Sequence, residues 1–451
     1  MKKRLAVGIS IPVVIIFVGI IVSMMLPSSV FVLTESLDGF GLLGGRHRIS
    51  GLAAPPGSDA VQPLWLVNGR LWDALQGARA NPGLGVENGR LTLRRPAGAR
   101  IIDLAGHTVL PGLIDMHVHA LGGRFDGEMM IGAGITTARD VGSYLPGALE
   151  HREEAAAGTR VGPRLFVTGP YIVHGAALTD QEIGADGPEA VTGVVATLAA
   201  AGVDGIKLHR GIDVAMLRNA TQAAHRRGLW VAVHLDGVTA SEAAEEGADT
   251  IEHDFGPEKE DVAIAAMLRA GTAFVPTLTV AQNAWRIPDL ARQDNPDLAP
   301  YPSLFRRAWI RGQMRNARAH GMTAQEIALR QSTEMRLRDF VRHFHAAGGR
   351  VLAGSDAPAF LVPPGRGLHR ELELLVASGL TPAEALAAAT IEAARALRRE
   401  AEMGALAEGM LADLLVVRGE AAPDAAVIAA FRNPALVVKD GRILLERLTG
   451  R

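Results

Sequence analysis

The 451-residue chain contains no cysteine. That absence excludes thiolate metal sites, disulfides and a cysteine nucleophile, and leaves any metal to be held by His, Asp, Glu or a less usual donor. Net charge is nearly absent too: 46 Lys and Arg against 48 Asp and Glu give −2, which offers no basis for nucleic acid as a partner. Lysine itself is scarce. Lys2, Lys3, Lys207, Lys259 and Lys439 are all there are, and arginine supplies nearly all other positive charge. Against that scarcity Lys207 stands out, between Ile206 and Leu208 in "GVDGIKLHRG", which otherwise reads as an apolar strand.

With 48% hydrophobic residues, the chain has the composition of a folded protein with ample core. Its length suits one large α/β domain with an appendage. Met1-Lys2-Lys3-Arg4 precedes an uncharged apolar run, "LAVGISIPVVIIFVGIIVSMML", residues 5–26. As a helix the run spans about 33 Å, close to the roughly 30 Å hydrocarbon core of a bilayer, and Pro12 is tolerable there. No A-x-A-like cleavage site follows. The expectation is an uncleaved N-terminal transmembrane helix over 1–26, making the membrane a partner and placing the rest of the chain on the extracytoplasmic (periplasmic or extracellular) side. A cleaved signal peptide is the alternative.

Residues 27–62, rich in Gly, Ser and Pro, read as a linker. From residue 63 short strands and tight turns take over. "LWLVNGRLWD" and "VENGRLTLRR" each carry Asn-Gly, the strongest short hairpin signal, and "ALVVKDGRILLE" repeats the pattern with Asp440-Gly441. Segments 63–109 and 402–451 thus predict one small β-sandwich-like domain built from both chain ends. Between them, over 110–401, apolar runs alternate with Ala-rich helical stretches. The runs are 109–119, 134–142, 164–172, 205–210, 229–235, 249–255, 272–279 and 350–358. Eight such units predict an α/β fold of the (β/α)8 TIM-barrel type rather than an open sheet. "TPAEALAAATIEAARAL" is opened by Thr381 as N-cap, Pro382 at N1 and Glu384 at N3. Residues 281–347 read as a helical lid over the barrel mouth.

Polar residues gather at the C-terminal ends of these runs. The first ends His117-Val118-His119. Residues i and i+2 of a strand share a face, about 6.6 Å apart, and two imidazoles so placed can converge on one ion at about 2.0–2.1 Å. Alone, His-x-His is weak evidence, since an alternating strand produces it by chance. The fifth run adds His234, the sixth His253 and the eighth Asp356, and a barrel builds its active site from several strand ends at that mouth. Each has a bland reading by itself, as a hydrogen-bonded His or, for Asp356, a turn residue or cap. Together they point to metal. Lys207 then acquires a role. As ammonium it is repelled by dications, but its neutral amine can add carbon dioxide to become a carbamate, an oxygen-donor anion able to bridge two ions. Arginine cannot do this. Carbamate, aspartate and a bridging hydroxide reduce the charge of two dications to about +1. A snorkelling lysine or a Schiff-base nucleophile remain alternatives.

In order and spacing, "PGLIDMHVH", "GIKLHRG", "AVHLDG", "IEHDFG" and "LAGSDAP" resemble the metal-dependent amidohydrolase superfamily, nearest its imidazolonepropionase-like and prolidase-like (Xaa-Pro dipeptidase-type) members. Residues 368–397 and 404–417 resemble the same family's final helices and return to the β-domain, so the resemblance covers about 63–445. It implies that His117, His119 and Asp356 hold the more buried ion, that His234 and His253 hold the more exposed one, and that carboxylated Lys207 bridges them. It further implies zinc, two ions per chain, with other divalent metals as substitutes, and hydrolysis of amide, ester or cyclic carbon–nitrogen bonds. The chain departs from the family in two places. Relatives often carry a Gly-rich loop with a His after the third strand, where this chain has "GPYIVHGAAL" with Tyr171 and His174. A membrane anchor is not a general family feature.

The expected activity is therefore cleavage of an amide bond, in a dipeptide or an N-acyl amino acid, with Asp356 as general base and then acid. Tyr171, His174 and His209 are the candidate substrate contacts. His225, His320, His343 and His345 read as solvated helix or loop residues, and a homo-oligomer is compatible with the sequence. Rival readings are a mononuclear deaminase or a cyclic-amide or lactone hydrolase of the same superfamily, and a catalytically inactive, membrane-tethered binding protein. The complete ligand set argues against the last.

Overall fold

The structure is a computed structural model and describes residues 49–53, 61–119, 124–290, 322–419 and 425–448. Short strands with one apolar face, such as Leu64–Val67 with Leu64 and Leu66 buried, need a second layer to cover that face. They find it in strands from the far end of the chain. One sheet holds Arg90–Thr92, Leu84–Glu87, Leu64–Val67 and Arg100–Asp103 in that order. The other holds Arg442–Glu446, Leu436–Lys439, Leu414–Val417, Thr108–Pro111, Arg70–Asp73 and Gly77–Ala80. The two chain ends join in the antiparallel ladder running from Thr108↔Val417 to Pro111↔Leu414. Leu66 and Val86 from the first sheet share a core with Val109, Val416 and Val438 from the second.

Backbone conformation separates the turns. Asn88-Gly89 and Asp440-Gly441 have positive φ at both residues, as a two-residue hairpin turn demands, and their flanking strands pair directly through Glu87↔Arg90 and Lys439↔Arg442. Asn68-Gly69 does not form the expected hairpin. Asn68 alone has positive φ, and the strands on either side enter different sheets. Gly69 is needed for space instead, since a Cβ there would lie 2.7 Å from the His107 carbonyl oxygen.

Parallel strands follow, among them β1 (Leu113–Val118), β2 (Ile135–Asp140), β3 (Arg164–Val167), β4 (Gly205–Leu208), β5 (Trp230–His234), β6 (Thr250–Glu252) and β7 (Ala273–Val275). β1, β2 and β4 are buried at every position, as parallel strands covered on both faces should be. β3, β2 and β1 form one sheet, and β4 to β7 continue another that begins with Glu182–Ala185 and Tyr171–His174. The run 164–172 is thus two strands, broken at Gly169 with φ 68°. Asp204 N donates to Val167 O at 2.8 Å and links β3 to the approach of β4.

The eighth run, 350–358, is not the regular strand expected. It meets its neighbours through single parallel bridges, Phe274↔Val351 to β7 and Val118↔Ala357 to β1. Leu352 N donates to Phe274 O at 2.8 Å and Met116 N to Ala353 O at 2.9 Å. Gly354 permits this approach, because a Cβ there would lie 2.7 Å from His117 Cβ. The capping box of Thr381 and Glu384 opens the helix Pro382–Ala388 as read from the sequence. That helix does not continue to 397. Thr390 donates its hydroxyl back to Leu386 O at 2.7 Å, and a separate helix, Ile391–Ala396, restarts the chain. In the predicted lid, the helices Leu278–Leu290 and Ala324–Ala346 flank residues 291–321, which lie outside the described residues.

The expected membrane placement is corrected. No helix among the described residues is long and apolar enough to cross a membrane, and the 5–26 run on which a single-pass anchor rested lies outside them, as does most of the 27–62 linker. The extracytoplasmic assignment, which rested on that anchor, falls with it.

Candidate metal centre

β1 delivers His117 to the interior, fully buried, and His119 just past its end. Each ring is oriented by its Nδ1. His117 Nδ1 faces Glu252 Oε2 at 2.6 Å and His119 Nδ1 faces the Gly142 carbonyl oxygen at 3.1 Å. Both partners are acceptors, so each neutral ring carries its proton on Nδ1 and presents a lone pair at Nε2. These Nε2 atoms stand 3.2 Å apart. Asp356 Oδ1 lies 3.1 Å from that of His119 and 3.6 Å from that of His117, yet is buried without a hydrogen-bond partner among the described residues. Two lone pairs and a carboxylate oxygen in such proximity form a set that could hold a cation. Burial depresses the His119 imidazolium, but Asp356 beside it outweighs that and raises its pKa, so a proton can serve until a metal displaces it. Burial holds His117 well below its ordinary value. The ligand atoms of His117, His119 and Asp356 all lie within 4.8 Å of one another, and the donor set fits a divalent ion.

The remaining sequence candidates surround this trio. β4 and β5 pair with Lys207 opposite Ala232, so Lys207 and His234, two residues beyond Ala232, share the inward face. His253 follows β6 with φ 71°, and its Nδ1 contacts Thr277 Oγ1 at 2.8 Å. Its ring centre lies 4.5 Å from that of His117 and 5.1 Å from that of His234. Three non-glycine residues at positive φ, His253, Thr277 and Asp356, therefore meet here, where such strain commonly accompanies function. Lys207 is 1% exposed and its Nζ has no hydrogen-bond partner among the described residues. Burial lowers its ammonium to about 8 against the pull of Glu252. Burial, then His209 and Lys207, push His234 down to about 3.

Sequence reasoning missed what stands behind these groups. Glu252 and Arg139 are fully buried charges. Arg139 donates to Glu252 Oε1 at 2.7 Å, to Thr250 Oγ1 at 2.9 Å and, through Nε, to Met116 O at 2.6 Å. Thr250 also donates to Glu252. Burial raises the Glu252 carboxyl, but Arg139 and then Lys207 outweigh it and hold it below its usual range. Asp115, two residues before His117, accepts from Ser355 N at 2.9 Å and Ser355 Oγ at 2.6 Å, and so fixes the segment that carries Asp356. The signal for Glu252 and Arg139 was the one that exposed Lys207, a charge inside an apolar strand.

The substrate candidates divide. His209 stacks on His234 with ring centres 4.2 Å apart, and Tyr171 lies 4.7 Å from His209 and 6.4 Å from His119. Both therefore border the metal-ligand group. His174 is exposed at the end of Tyr171–His174 and makes no ring contact or hydrogen bond with the group among the described residues. His225 and His343 pair with Asp249 and Glu260 on the surface.

Comparison with known proteins is consistent with this geometry. The family model for the amidohydrolase family matches residues 108–444. An uncharacterized protein of Mycobacterium tuberculosis is 29% identical over 384 residues, covering 80% of this chain and 91% of that protein. The enamidase of Eubacterium barkeri is 26% identical over 399 residues, covering 79% and 86%. Among solved structures, a protein of Bifidobacterium longum provisionally assigned as a prolidase superposes with a TM-score of 0.70 at 27% identity, covering 85% of this chain and 95% of that one. Such neighbours imply a TIM-barrel α/β architecture and dependence on a divalent metal. The chain belongs to the amidohydrolase family and is a metal-dependent hydrolase acting on carbon–nitrogen bonds.

Proposed function

We propose that the chain hydrolyses the amide bond of a dipeptide or an N-acyl amino acid, using two divalent ions, expected to be zinc, around a carboxylated Lys207. The observation that carries this reading is the Lys207 amine, buried at the end of β4 beside the imidazoles of a metal site and without a hydrogen-bond partner among the described residues. A buried ammonium there is costly. A neutral amine is free to attack carbon dioxide, forming the N–C bond of a carbamate and releasing one proton.

In this reading residues 110–401 form a closed eight-stranded barrel, supported by the bridges from 350–357 to both β7 and β1. Segments 63–109 and 402–451 form the smaller domain beside it. His117, His119 and Asp356 would hold one ion, His234 and His253 the other, with the Lys207 carbamate between. When bound, the ions supply an acidified water and a polarised scissile carbonyl. Asp356 would accept a proton from the attacking water, whose oxygen bonds to the amide carbon, and would pass that proton to the amine nitrogen as the C–N bond breaks. His209 and Tyr171 border the substrate. The Bifidobacterium longum neighbour at 27% identity supports a dipeptide as substrate. The test is a screen of the zinc-loaded chain against Xaa-Pro dipeptides, N-acyl amino acids and cyclic amides. Turnover confined to the cyclic amides rejects the proposal.

One observation favours a second reading. Among the described residues, only His117, His119 and Asp356 bring three ligand atoms within reach of one another, as a mononuclear deaminase or cyclic-amide hydrolase needs, and the enamidase of Eubacterium barkeri is a relative. Metal stoichiometry decides: one ion per chain at full activity selects this reading.

A further inference from the structure

Away from the metal centre, a cavity of about 360 Å³ opens between the helices Leu278–Leu290 and Arg366–Ala377. Four arginines line it, Arg286, Arg366, Arg370 and Arg432, against one carboxylate, Glu373. Four positive charges against one negative leave an excess of three. Glu373 is already shared, with Oε2 accepting from Arg370 and Oε1 from Arg432, both at 2.7 Å. Gln282 Oε1 takes further N–H groups of Arg370 at 3.0 and 2.9 Å. Arg366 is half-buried and has no acceptor among the described residues.

His369 also lines the cavity and is 2% exposed. Its Nε2 donates to the Ala133 carbonyl oxygen at 2.8 Å, which leaves Nδ1 as a lone pair, and Nδ1 has no partner among the described residues. Burial lowers the imidazolium to about 4, with Arg366 and Arg432 adding to the effect and the Ala133 bond opposing it. The ring is therefore neutral, an acceptor among cations. A chloride or a plain carboxylate satisfies the arginines and leaves this acceptor bare.

We propose that this cavity binds a phosphate-type oxyanion that still carries a P–O–H group, either hydrogen phosphate or a singly protonated phosphomonoester. Guanidinium forks match its charged oxygens, and the hydroxyl hydrogen goes to His369 Nδ1. No residue of the metal centre takes part, so the site stands or falls independently of the hydrolytic reading.

The test is calorimetric titration of the full-length, metal-free chain with inorganic phosphate, phenyl phosphate and sulfate at constant ionic strength in chloride. Inorganic phosphate should bind saturably and at least about tenfold more tightly than sulfate, which has no hydrogen to donate near neutral pH. Phenyl phosphate binding as well as phosphate assigns the site to the phosphate group of a larger molecule, and weaker binding assigns it to the free ion; either supports the site. Arg366→Gln should weaken phosphate at least about tenfold and leave the hydrolytic rate of the zinc-loaded chain unchanged. His369→Phe removes the Nδ1 lone pair and brings no other acceptor, so in a variant that remains folded it should erase the preference for phosphate over sulfate. Absence of saturable binding above the chloride control overturns the proposal, as does phosphate binding that Arg366→Gln leaves untouched in a variant that melts like the parent.

Discussion

His117 Nδ1 stands 2.6 Å from Glu252 Oε2 with both side chains fully buried. The carboxylate fixes the imidazole tautomer, and Arg139, bonded to Glu252 and stacked 5.0 Å over the Trp230 ring, fixes the carboxylate. Partners of this kind commonly contribute about 10–100-fold to metal affinity. Glu252→Gln should weaken metal binding by a factor in that range, read by chelator competition. It should also lower the melting temperature of the metal-free chain, because removing one partner of a buried ion pair costs about 3–5 kcal/mol.

Lys207→Ala should reduce metal content toward one ion per chain, measured on protein reconstituted with zinc and bicarbonate. Lys207→Arg should do the same, since a guanidinium forms no carbamate. Parent protein reconstituted without carbon dioxide should load poorly and recover when bicarbonate is added. Full loading without it removes the carbamate from the proposal.

Asp356→Asn retains an oxygen ligand and loses the proton carrier. Its kcat should fall by about 10²- to 10⁴-fold at unchanged metal content. A kcat within a few-fold of the parent assigns the proton transfer to another group.

His369 titrates at about 4 in the fold, pushed down by burial, against about 6.5 in the unfolded chain. Between these values the unfolded chain binds a proton that the native one does not. Its contribution to stability is therefore intact above about pH 6.5 and declines with acidification, by up to about 1.4 kcal/mol per pH unit. Urea melts of the parent at pH 6.5, 5.5 and 4.5 should show this slope, and His369→Gln should flatten it. An equal slope in the variant assigns the acid lability to the histidines of the metal centre.

The histidines and Lys207 were legible because each interrupts an apolar run, and an isolated polar residue in a buried strand needs a reason. Seven of the eight runs became strands for the same reason. The eighth escaped this logic: nothing in "RVLAGSDAP" reveals that Gly354 draws the segment against His117 and Val275, or that Asp356 sits at φ 54°. Asn68-Gly69 misled because a turn signal is local, while the sheet a strand joins is set by which faces remain uncovered.

Sequence alone determined which donor types are available, the exclusion of thiolate chemistry and the alternation that makes parallel strands, since these follow from side-chain chemistry and period. Tertiary structure decided what no spacing contains. Glu252 and Arg139 are 113 residues apart, and they act on His117 only because β6 and β2, strands of two different sheets, bring their buried charges within hydrogen-bond distance, where a low dielectric makes pairing compulsory. The arginine-lined cavity is likewise a product of two helices packing, with its charge excess visible only once they do.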